Sequence, residues 1–168
     1  MKRLLLSLFI MALPFMASAQ IRYGYFSYDA VLKAMPDYAL AQRSIDDLRL
    51  KYDAEMQRAE KEFNAKYEEF LDTQRDLVPT ILRKRQNELQ DMMQKNEAFR
   101  KEAERLLSQA STDAFAPVRT KLNDAVRKAG ERQGLAFILN TDNDAVPYID
   151  ATMGEDATPF IKQALDGK

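Results

Sequence analysis

The sequence predicts an α+β protein that is predominantly α: one long antiparallel helical hairpin carried on a small β-containing body. Residues 38–77 contain neither glycine nor proline and space their apolar residues at helical intervals. A second periodic stretch runs from about Thr80 to Glu131. Runs of strand length flank this pair, at Ile21 to Tyr28 and Leu135 to Asn140. With 30% charged residues, five glycines and no tryptophan, the composition suits an elongated helical shape better than a compact globule.

The first residues read as a secretory leader over 1–19. Lys2 and Arg3 precede an apolar run, Leu4 to Met16, and Ala17-Ser18-Ala19 supplies a small-residue cleavage pattern. The run is shorter than the roughly 18–20 residues that span a bilayer. Cleavage and export to the periplasm are therefore expected, with no lipid anchor, since no cysteine follows Ala19. Removing Lys2 and Arg3 takes the formal charge from −1 to −3, and residues 134–168 alone contribute −4. Neither half is basic enough to suggest nucleic acid as a partner.

Ile21 to Tyr28 is aromatic-rich and reads as a strand with Ile21, Tyr23 and Tyr25 on one side. Asp29 is placed to cap a short helix, Ala30 to Met35, which Pro36 ends. Asp37 can cap the next helix. Along that helix Ile45, Leu48, Tyr52, Met56, Ala59, Phe63, Tyr67 and Phe70 repeat every eleven residues, a nearly straight stripe. Pro79 suits a first helical turn, so the hairpin tip is expected near 77–80. On the return helix Leu89, Met92, Asn96, Phe99, Ala103, Leu106 and Ala110 form a heptad seam with one polar interruption. Pro117 lies inside this helix and reads as a kink and hinge.

Beyond Gly130 and Gly134, Leu135 to Asn140 and Val146 to Ala151 read as two strands around a polar hairpin turn, Thr141 to Ala145. Glu155 to Pro159 reads as a helix start, with Phe160, Ile161, Ala164 and Leu165 as the apolar face of the last helix. The expected division is thus a leader, 1–19; a body, 20–36 with 134–168; and a hairpin, 37–133. The body has about fifty residues, near the limit of independent stability, so it should oligomerise. Candidate body residues for that contact are Ile21, Tyr23, Tyr25, Phe137, Leu139, Tyr148 and Ile149.

Enzymatic chemistry has little to work with. Histidine and cysteine are absent, which removes the commonest general base and the thiol nucleophile. Glu60, Glu62, Glu68 and Glu69 stand among lysines at helical spacing and read as a solvated face with pairs such as Glu62–Lys66. Asp142, Asn143 and Asp144 lack the glycine and glutamate that a calcium loop needs downstream. No catalytic, cofactor or metal site is expected.

The hairpin is richer in apolar side chains than one seam requires. Met56, Phe63, Tyr67, Phe70, Leu71, Met92, Met93 and Phe99 are the candidate binding set, because methionine and aromatic surfaces adapt to many sequences. Arg75, Arg83, Lys84 and Arg85 form a basic cluster near the tip, a candidate contact for anionic lipid headgroups.

In order and spacing, YGYFSYDAVLKAMPDYALAQ, the charged hairpin, PVRTKLNDAVRKAGERQGLAFILN and YIDATMGEDATPFIKQAL resemble the Skp/OmpH family of outer-membrane-protein chaperones. The resemblance covers essentially the whole chain after the leader. It implies a homotrimer with a small β-barrel body and three helical tentacles enclosing a cavity. It also implies holding of unfolded outer-membrane proteins before delivery to the membrane, without ATP. The competing expectation is an exported structural coiled-coil protein that binds one fixed partner.

Overall fold

A computed structural model describes residues 21–150 and 152–167. The expected leader, 1–19, lies outside them. In chain order the elements are β1 (Tyr23–Phe26), α1 (Tyr28–Ala34), α2 (Pro36–Thr73), α3 (Pro79–Gln133), β2 (Phe137–Asn140), β3 (Gly154–Asp156) and α4 (Thr158–Leu165). Two compact units result, one of residues up to Leu32 together with Lys121 onward, the other Lys33–Thr120.

The first unit holds a three-stranded sheet ordered β2-β1-β3. Both neighbours run parallel to β1, with Tyr23 opposite Phe137 on one side and Gly154 on the other. This corrects the sequence reading in two places. Residues 141–145 do not turn a hairpin: Asp142–Asp144 form a 3₁₀ turn in which Asn143 and Asp144 take left-handed φ values of 56° and 54°. The strand expected over Val146 to Ala151 is absent from residues 146–150, and Gly154–Asp156 pairs instead. Parallel strands require a crossover connection. The segment between β2 and β3 must carry the chain from the far end of β2 back to the level where β3 begins, which takes residues 141–150 out of the sheet.

β1 is shorter than expected because Tyr28 already starts α1. Ser27, rather than Asp29, caps that helix: its Oγ accepts the Ala30 amide at 3.1 Å. Ser27 in turn donates to Asp142 at 2.6 Å, and the Asp29 amide donates to the same carboxylate at 2.8 Å. α2 has no side-chain cap, since Met35 occupies the cap position and Pro36 the first turn, with Asp37 following. α4 starts at Thr158 because Glu155 and Asp156 belong to β3, and the Asp156 carboxylate accepts the Thr158 amide at 2.9 Å.

Phe26, Val31, Leu32, Leu122, Ala125, Ala129, Ala157 and Ile161 are buried in this unit. Packing over β1 crowds Gly24, where a Cβ would meet Leu135 Cδ1 at 2.9 Å and Ala157 Cβ at 3.2 Å. Gly134 ends α3 with φ +62°, and the Leu135 amide reaches back to the Gly130 carbonyl at 3.0 Å, the six-to-one bond of a Schellman motif.

In the second unit α2 and the residues of α3 up to Thr120 run antiparallel. Tyr38 meets Phe115 at 5.0 Å between ring centroids and Tyr52 meets Phe99 at 6.1 Å, so numbers rise along one helix as they fall along the other. α2 stops at Thr73, earlier than the periodicity suggested, where the Gln74 amide closes on Phe70 at 2.9 Å. Val78 accepts the Ile81 and Leu82 amides at 3.0 Å, which launches α3 with Pro79 as its first residue. Pro117 sits within α3 between buried Phe115 and Val118.

Candidate functional site

The surface of the hairpin is rich in charge, part of it held in short-range pairs. Glu55–Arg58, Glu97–Lys101 and Glu102–Arg105 meet at 2.5, 2.7 and 2.7 Å. A hydrogen bond from the neighbouring cation holds each of these carboxyls below the usual glutamate range. The expected Glu62–Lys66 pair is not among the ion pairs of the described residues. Both side chains instead rim a hollow between the two helices. Exposed pairs of this kind add little stability.

Against this charged ground the candidate binding set divides in two. Met56, Phe63, Phe70, Met92 and Phe99 are half-buried along the seam between α2 and α3. Phe99 tilts against Tyr52, and Phe63 stacks on Tyr67 with centroids 6.0 Å apart. Tyr67, Leu71 and Met93 point outward, 44%, 45% and 55% exposed. Tyr67 and Leu71 lie one turn apart on α2, and Met93 lies on the matching flank of α3. An outward apolar strip therefore continues from the seam through the Phe63–Tyr67 stack. Leu40, Leu50, Val78 and Ile81 are also exposed. None of the four is marked by the periodic stripe or belongs to the candidate set.

At the tip, Lys84 and Arg85 both reach Glu88, at 3.8 and 3.0 Å. Arg75 and Arg83 form no ion pair among the described residues and stand with exposed Val78 and Ile81 in the same turn region.

The candidate body residues lie on and beside the sheet. Tyr23 stacks on Phe137 at 5.7 Å, and its hydroxyl donates to the Asp150 carbonyl at 3.4 Å. Tyr25 and Leu139 face each other in register, half-buried. Ile21, Phe137 and Tyr148 are exposed, Tyr148 by 78%, while Ile149 is half-buried. Among the described residues no helix is long and apolar enough to cross a membrane, and no three acidic side chains converge to hold a metal ion.

The model of the family outer membrane protein (OmpH-like) matches residues 22–165. No curated protein matches the sequence. Among solved structures, that of a candidate outer membrane chaperone (OmpH-like) from Caulobacter crescentus aligns with a TM-score of 0.73 at 14% identity, over 90% of this chain and 87% of that one. At that identity the likeness is one of fold.

Proposed function

Since this chain belongs to the OmpH-like outer membrane protein family, we propose that it is a periplasmic holding chaperone for unfolded outer-membrane proteins, working without ATP. The supporting observation is the exposed strip of Tyr67, Leu71 and Met93 on a hairpin whose surface is otherwise mostly polar and charged. Apolar contacts of this size are individually weak and become effective when several arms act on one client.

Several arms require several chains. In the single chain the sheet has two open edges, β2 and β3, and open edges invite further pairing or closure. We assign residues 20–36 and 134–168 to a body in which three copies close a small barrel through Ile21, Tyr23, Tyr25, Phe137, Leu139, Tyr148 and Ile149. The leader is removed on export, residues 37–133 form the tentacle, and Pro117 serves as its hinge. The tip cations Arg75, Arg83, Lys84 and Arg85 meet anionic lipid headgroups during delivery.

The test replaces Tyr67, Leu71 and Met93 together with serine. All three are exposed, so helicity and oligomer mass should stay unchanged while suppression of aggregation of several denatured barrel proteins, followed by light scattering, is lost. Undiminished suppression would overturn the assigned strip. A native protein that holds none of the panel would instead favour a structural coiled coil with one fixed partner.

A further inference from the structure

The hairpin is packed unevenly along its length. In the unit Lys33–Thr120 the buried apolar residues are Met35, Ile45, Ala103, Phe115 and Val118, and none of residues 46–102 is buried. Large side chains are not lacking there, since Tyr52, Phe63, Phe70, Met92 and Phe99 all reach the seam. They nonetheless leave hollows of about 530 Å³ beside Phe70, Leu89 and Met92 and about 200 Å³ beside Met56, Ala59, Phe63 and Phe99, while a third, of about 580 Å³, reaches Ile45 and Ala103, where the seam still buries side chains.

The sequence explains the loose fit. The α2 stripe repeats every eleven residues and the α3 stripe every seven. Stripes at about 3.67 and about 3.5 residues per turn drift apart along a paired length, so they face each other well at only one level. Asn96 lines both hollows, and its Nδ2 donates to the Ala59 carbonyl at 3.4 Å, the long end of hydrogen-bond range. An amide in an apolar seam weakens it, but one register satisfies the amide and others leave it bare.

We propose that Asn96 sets the hairpin's register, fastening the helices at one level and leaving the seam beyond it, residues 62–95, weak enough to open locally. This rests on the holding-chaperone reading for its use: opening turns half-buried Phe63, Phe70 and Met92 into contact surface, next to the strip already exposed. The arm thereby gains apolar area when a client is present and hides it when none is.

Hydrogen exchange on the mature oligomer, resolved by peptide, tests the assignment with and without client. Peptides within 62–95 should exchange at least about tenfold faster than those within 38–45 and 103–118. Asn96→Leu, which replaces the amide with apolar bulk, should slow exchange in 62–95 by about tenfold and halve aggregation suppression or worse. Asn96→Ala, which removes the bond without filling the seam, should speed exchange there, and Gln94→Leu on the outer face should change neither. Uniform exchange along the hairpin in the native protein would overturn the proposal, as would unchanged distal exchange in both Asn96 variants. Native protein that fails to hold any client, yet shows the exchange pattern, would sink the chaperone reading and support the register role of Asn96.

Discussion

Ile45→Ala and Leu122→Ala each delete three carbon atoms from a buried site, yet the two surroundings make the expected costs unequal. Ile45 is 6% exposed and Leu122 wholly enclosed. At about 0.8 kcal/mol per buried carbon, the lost transfer energy is about 2.4 kcal/mol in either case. Leu122 has no solvent path, so its truncation leaves a void that raises the total to about 3–4 kcal/mol. Ile45 already borders an open hollow with Arg49, Asp53, Met56 and Ala103. Truncation there enlarges a water-accessible space and adds no closed void, so only the transfer loss of about 2.4 kcal/mol is expected. Urea unfolding followed by far-UV circular dichroism measures both, at one fixed protomer concentration because association shifts apparent stability. An Ile45→Ala cost equal to or above that of Leu122→Ala would refute the claim that buried Ile45 borders open space.

Three further outcomes are expected. Gly154→Ala would set a Cβ 2.6 Å from the Tyr23 ring, which is pinned by Phe137, so the sheet should lose about 1–3 kcal/mol, visible as a lower melting temperature and altered tyrosine near-UV dichroism. Glu55, Glu97 and Glu102 have depressed pKa values in the folded state, so their contribution is complete above the ordinary value of 4.5 and disappears as pH falls through the depressed values. Helicity should therefore decline only in acid below that value, and high salt, which screens exposed pairs, should shrink the effect in a dichroism titration. Pro117→Ala restores a donor opposite the Asp113 carbonyl and should stabilise α3 by about 1–3 kcal/mol, with slower amide exchange around the site. An unchanged melting temperature and unchanged exchange would remove Pro117 as a hinge.

The two long helices were legible because each repeats its apolar residues at helical spacing, with no glycine before Gly130, so local preference and tertiary packing agree. Element ends slipped by a few residues because capping was settled by neighbours in space. Ser27 outcompeted Asp29 once Asp142 came within reach of its hydroxyl. The sheet was the harder case. Val146-Pro147-Tyr148-Ile149 has the composition of a strand, and Gly154-Glu155-Asp156 has nearly the opposite. What places the latter in the sheet is contact: Ala157 donates to the Tyr25 carbonyl at 2.9 Å, and Arg22 pairs with Glu155 at 2.8 Å. Neither partner lies near in sequence, so no window of local residues carries the signal. The surplus of apolar residues on the hairpin was visible beforehand, but its division between seam and surface was not. Two unequal repeats turn that division into a matter of position along the pair.

β1 lies at the centre of the sheet, and both of its partners come from the last thirty or so residues, Phe137–Asn140 and Gly154–Asp156. Chain released from its N-terminus, as in synthesis, thus frees the middle strand first, which must wait for nearly all that follows before it can pair. The helices need only near neighbours and can form in the interval. Assembly is therefore ordered in time, arms ahead of base. A chain cut short before Gly154 keeps a complete pair of helices but presents β1 with one side bare, a product disposed to aggregate with its own kind.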